Sequence, residues 1–155
     1  MRRMAGFAVL LALVSCRFSG VAFVQDDRLQ ILTPEDRATV TLPLEVSWTA
    51  RDLPPGTTFA LFVDRAPVAP GAILASLFSD DHSCARDPAC PSPDALLSLG
   101  VHRTTRTTVV LESPLPEGRP SSPETHDATL ILIDASGKRI GESAFAVTFT
   151  VADDG

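Results

Sequence analysis

DATLILIDASGKRIGESAFAVTFTV, residues 127–151, places two apolar runs on either side of the polar tetrapeptide Ala135-Ser136-Gly137-Lys138. In the second run Phe145, Val147, Phe149 and Val151 share one parity and Ala146, Thr148 and Thr150 the other, the period of a strand with one buried face. The first run, Ala128 to Ile133, is apolar on both parities and predicts either a central strand covered on both sides or one edge-protected within a sandwich. A hairpin alone is marginal in water, so the upstream sequence has to supply a second layer.

Working outward, Thr57 to Asp64 reads as a strand with Phe59, Leu61 and Val63 on its inner side. Thr39 to Arg51 alternates as one long strand, with Leu42, Leu44, Val46 and Trp48 facing inward and Pro43 marking an edge or a bulge. Leu29 to Leu32 is a first short strand, and Leu96 to Glu112 has strand character ending in Val109, Val110 and Leu111. Ala72 to Phe78 is ambiguous between strand and helical turn. Arg65 to Gly71 reads as a loop, and Ser113 to Thr125, with four prolines, as a surface crossover.

About seven short strands separated by Pro/Gly turns predict an all-β chain, an immunoglobulin-like antiparallel β-sandwich over residues 28–152. The segments PEDRATVTLPLEVSWTA (34–50), FALFVD (59–64) and THDATLILIDASGKRIGESAFAVTFTV (125–151) together resemble bacterial extracytoplasmic immunoglobulin-like or fibronectin-III-like domains. Trp48 then matches the core tryptophan by role, although it lies on the second strand, and no inter-sheet cysteine pair is available. The resemblance implies a shape, and sandwiches of this shape host unrelated functions.

The N-terminus pairs Arg2 and Arg3 with the apolar run Ala5 to Val14, the n-region and h-region of a secretory signal peptide over residues 1–15. The run is too short to span a bilayer; the runner-up is an uncleaved anchor continuing through Val24, which Arg17 interrupts. Leu13-Val14-Ser15-Cys16 resembles the lipobox of bacterial lipoproteins. That resemblance implies a mature chain beginning at Cys16, with diacylglycerol on its sulfur, an acylated amine and a tether over residues 16–27. The expected place is the cell membrane or outer membrane, lipid-anchored on the extracytoplasmic side, because several acyl chains anchor firmly where one does not.

Without Arg2 and Arg3 the chain has 11 basic and 19 acidic residues, a net charge of −8. Such a surface repels phosphate backbones, so nucleic acid is not an expected partner. In an oxidising compartment Cys84 and Cys90 are expected to form a disulfide, which for so small a ring contributes roughly 2 to 2.5 kcal/mol.

A metal reading recruits Asp80, Asp81, His82, Cys84 and Cys90 for zinc, but without a C-x-x-C or a second nearby histidine. Blue copper lacks a methionine in the mature chain, and the acidic pairs lack the alternating spacing of a calcium loop. Catalysis by Cys84 or a serine with His82, His102 or His126 lacks a G-x-S-x-G elbow, and a glycosidase pair of Glu112 with Asp134 depends on a separation sequence does not give. Stacking on sugars is disfavoured, since tyrosine is absent and Trp48 belongs to the core.

The expectation is a non-enzymatic binding or scaffolding protein of the cell envelope, without cofactor. Its partner would be an envelope protein or polymer, touched by the loops carrying Arg65, Pro67, His82, Arg86 and Asp87. A small metal protein or enzyme using Asp80, Asp81, His82 and Cys84 is the alternative.

Overall fold

The computed structural model describes residues 28–80, 84, 90–116, 118, 122, 124–142 and 144–152. The expected signal peptide and tether lie outside them. Among the described residues eight strands form: β1 (Leu29–Thr33), β2 (Ala38–Val40), β3 (Leu44–Ala50), β4 (Thr58–Val63), β5 (Val101–Thr104), β6 (Thr108–Leu111), β7 (Thr125–Ile133) and β8 (Phe145–Val151). They make two sheets, ordered β1-β3-β6 and β2-β8-β7-β4-β5. Every pairing is antiparallel except β2 with β8, where Ala38 lies beside Phe149 and Val40 beside Val151. β1, β3 and β6 occupy the places of strands A, B and E of an immunoglobulin-like sandwich, and β8, β7, β4 and β5 those of G, F, C and C′.

The register gives the sandwich two ends. Leu29 opposite Ala50 and Thr58 opposite Ile133 mark a near end, where β1 begins and the turns after β3, β5 and β7 lie. Val63 opposite Ala128 and Leu44 opposite Leu111 mark the far end.

Between the sheets lies one core, built from Leu29, Ile31, Val46 and Trp48 of the smaller sheet and Phe59, Leu61, Leu130, Leu132 and Phe149 of the larger. Trp48 is buried and meets Phe59 edge-on, with ring centroids 5.5 Å apart. Its Nε1 is buried without a hydrogen-bond acceptor among the described residues. The indole therefore contributes through its area and its edge contact, not through the polar handle that buried tryptophans usually satisfy.

The larger sheet is covered on its outer face as well. Between β4 and β5 the described residues of 64–100 lie across that face and include a 3-10 helix (Leu74–Phe78) and α1 (Pro93–Ser98). Val68, Leu74 and Leu96 from this excursion close a second core over Ala60, Phe62, Ile131 and Ile133. That explains why β7 is apolar on both parities: its alternate residues serve two different cores. Each fully buried large side chain here contributes about 1.5–3 kcal/mol. Arg139 fastens the excursion from the hairpin side. Its Nη1 donates to Val68 O and its Nη2 to Glu142 O, each at 2.7 Å, and its backbone N–H donates to Ala72 O. Burial pushes its pKa down from the usual guanidinium range, against the pull of Glu142.

Several expectations are corrected. Thr39 to Arg51 is two strands in different sheets, because the chain crosses from β2 to β3 at Pro43, which has no N–H to give a ladder. Leu96 to Ser98 is helical, not extended: Ser92 caps α1 by accepting from Ala95 N–H at 3.2 Å, and Pro93 occupies the first turn. The ambiguous segment from Ala72 to Phe78 resolves as an extended Ile73 bridged to Lys138, followed by the 3-10 helix. The hairpin turn closes tightly at 134–138, where Asp134 Oδ1 accepts from Ser136 N–H, Ser136 Oγ and Lys138 N–H. After Ile140 bonds back to Leu132 the chain leaves the ladder, and β8 begins only at Phe145.

Candidate functional site

Two places gather chemistry, both towards the far end. The first is a polar knot. Asp64 ends β4 with φ of 53°, a left-handed conformation that aspartate tolerates better than most residues. Its Oδ2 lies 2.7 Å from His126 Nδ1, which donates to the carboxylate, and its Oδ1 accepts from Asp127 N–H at 2.9 Å. Asp64 N–H in turn donates to Asp127 O. The His126 ring stacks on Phe149 at 5.6 Å, while Asp127 Oδ1 accepts from Thr148 Oγ1 at 2.7 Å.

Two strand ends and β8 are thereby tied together. The His126 and Asp64 side chains are only 7% and 4% exposed, so a substrate has no route to them and their geometry holds structure.

The second place is a groove of about 450 Å³ between β5 and β6, walled by Val63, Leu97, His102, Val110, Leu111 and Leu115. β5 and β6 are the edge strands of their sheets, so the groove lies at the open side of the sandwich. Its floor needs Gly100 (φ 71°), where a Cβ would stand 2.7 Å from Val63 O and 2.9 Å from Pro116 Cγ. Leu97 and Val110 keep 48% and 51% of their surface exposed on its walls. Two large apolar side chains thus stand in water beside edge strands of both sheets.

No protein-family model, curated protein or solved structure matches this chain. The site therefore stands on its own geometry.

His102 is on the inner face of β5, opposite Leu61, and burial pulls its pKa below the ordinary imidazole value. The groove thus carries a neutral ring at neutral pH. The unfolded chain takes up this proton first, so stability is at its full value well above about pH 6.5 and is lost as pH falls below it. Replacing His102 with Gln should flatten that part of the profile. Urea midpoints at pH 7.5 and 5.5 check this, the wild type losing more than the variant.

The expected contact residues fall as follows. Arg65 is exposed just after the polar knot, and Pro67 is partly buried, both on the excursion. Cys84 and Cys90 are joined by a disulfide, which removes both thiols from any metal set and from nucleophilic duty. Cys90 lies two residues before the cap of α1, so the bond steadies the segment that presents Leu97 to the groove. Cys16, Asp81, His82, Arg86 and Asp87 lie outside the described residues. Glu112 and Asp134 sit at opposite ends of the sandwich, so they do not form a glycosidase pair. His102 and His126 lie on strands separated by β4 and do not converge.

Sequence reasoning missed the groove and Asp64. The signal for Asp64 was present: an aspartate closing one apolar strand and a His-Asp pair opening its antiparallel partner.

Proposed function

We propose that this is a lipid-anchored, extracytoplasmic binding or scaffolding protein of the bacterial cell envelope, without catalytic activity. Its Cys16 carries the anchor, and its sandwich offers the far-end groove to an envelope partner. The observation that supports this reading is the groove itself, with exposed Leu97 and Val110 beside the open edges of β5 and β6. The Leu13-Val14-Ser15-Cys16 motif supports the anchor. An extended polypeptide segment suits such a surface, because it adds main-chain hydrogen bonds at a strand edge and seats alternate side chains in the groove.

Cross-linking in intact cells tests the reading. Leu97→Asp with Val110→Asp should abolish the cross-linked adducts while leaving the urea midpoint nearly unchanged, since both side chains are already half in water. Adducts that persist would exclude the groove. Cys16→Ser should release the protein from the membrane fraction and abolish lipid labelling; retention with continued labelling would remove the anchor.

A further inference from the structure

The two strand edges beside the groove are not equivalent. Pro116 packs over Gly100, so the crossover screens the start of β5, a common protection of an edge. On β6 the exposed residues are Thr108 and Val110. Trp48 N–H donates to Thr107 O at 3.0 Å, and antiparallel bonding alternates along the ladder. Thr107, Val109 and Leu111 therefore bond to β3, while the N–H and C=O groups of Thr108 and Val110 point away from it. β6 ends its sheet, so no described strand takes them up.

Charge at that edge has one sign. On the outer face of the smaller sheet Val110 stands between two exposed carboxylates: Glu45, its partner across the β3 ladder, and Glu112, two residues on, which also lines the groove. Neither has a hydrogen bond or ion pair with another described residue. The described cations lie elsewhere. Arg28, Arg51 and Arg106 are at the near end, Lys138 and Arg139 are in the hairpin, Arg37 and Arg65 adjoin strands of the larger sheet, and Arg103 donates to Ala135 O at 2.8 Å.

A strand added along β6 would meet both features at once. Paired residues share a face, so its alternate side chains would enter the groove towards Leu97, Leu111 and Leu115, and the others would lie beside Val110 and Glu112. Aliphatic side chains suit the inner positions. Lysine or arginine suits the outer ones, because the methylene stem covers Val110 while the charged head reaches Glu112 or, across the valine, Glu45.

We infer that the occupant of the groove is an extended segment of alternating aliphatic and basic residues, bound as a fourth strand of the smaller sheet along β6. This rests on the groove being the contact surface, and adds to it the edge used, the alternation of the bonds and the charge of the partner. A second copy of the chain is a poor occupant, since its β6 would bring its own Glu45 and Glu112 to the same edge.

Two synthetic peptides with blocked ends test this, one alternating valine with lysine and one alternating valine with glutamate. At about seven residues each they span β6. Amide exchange of the mature protein in neutral detergent is followed with each. The lysine peptide at saturation should slow Thr108 and Val110 roughly ten-fold, while Val109, already bonded to β3, changes little. The glutamate peptide should slow neither. Glu45→Lys with Glu112→Lys, both at exposed positions, should weaken the lysine peptide about ten-fold and let the glutamate peptide bind.

Slowing at Val101 and Arg103 instead, equal binding of the two peptides, or binding of neither overturns the inference. The groove itself survives those results if Leu97→Asp with Val110→Asp still abolishes the cellular adducts. Slowing at Thr108 and Val110 that grows with protein concentration alone assigns the edge to a second copy and overturns the inference as well. Adducts that persist in the aspartate variant remove the groove, and the inference with it.

Discussion

Replacing Asp64 with alanine should destabilise the protein by about 3–5 kcal/mol, the range seen when one member of a buried pair is removed. The loss has three parts. His126 Nδ1 loses the acceptor 2.7 Å away, and Asp127 N–H loses Asp64 Oδ1. A left-handed backbone at residue 64 also passes from an aspartate that tolerates it to an alanine that does not. Asp64→Asn should cost clearly less, because the amide oxygen still accepts from Asp127 N–H and the side chain keeps its volume. Urea unfolding of the two variants checks this, and equal losses for both would mean that the carboxylate's pairing with His126 alone holds the knot, the bond to Asp127 N–H and the side-chain volume contributing nothing.

Phe62→Ala should cost about 3–5 kcal/mol as well, by a different route. Phe62 is fully buried on the outer face of β4, under Val68, Leu74 and Leu96 of the excursion. Removing the ring leaves a cavity between the sheet and its helical cover while the inter-sheet core keeps its contacts. The variant should therefore open the excursion before the sandwich: proteolysis within 64–100 should accelerate by a larger factor than the fall in the urea midpoint accounts for. Loss of stability with unchanged local proteolysis would place Phe62 in the wrong layer.

These two residues show what the sequence could and could not disclose. Phe62 belongs to a run, Phe59 to Val63, whose apolarity on both parities signals burial on two faces, as it does from Leu130 to Ile133. The period does not say what covers the second face. That cover is a helical excursion whose short apolar runs fit strand and helix equally well. For α1 a signal existed in Ser92-Pro93, a cap followed by a first-turn proline, and it outweighs the apolar spacing of Leu96 to Ser98.

Pro43 was legible as an interruption, but the transfer of Ala38–Val40 to the other sheet depends on a parallel pairing with β8 across more than a hundred residues. Arg139 gave no local sign of burial. It sits in a polar hairpin tip and becomes buried only because residues 65–73 fold over it.

The candidate site was harder to read than the fold, for the same reason. The disulfide was legible in two cysteines six residues apart, and the structure has it. The groove follows from nothing local: Leu97, His102 and Val110 meet there because β5 and β6 end up as edges of different sheets.

At the centre of the account is a five-stranded sheet sealed on both faces, with β4 and β7 in its middle. Native-state amide hydrogen exchange tests this most directly. Amides of 59–63 and 128–133 should exchange only through global unfolding, and those of edge strand β5 markedly faster. Exchange at 128–133 as fast as at 101–104 would contradict the double cover on which the fold and the placement of the groove depend.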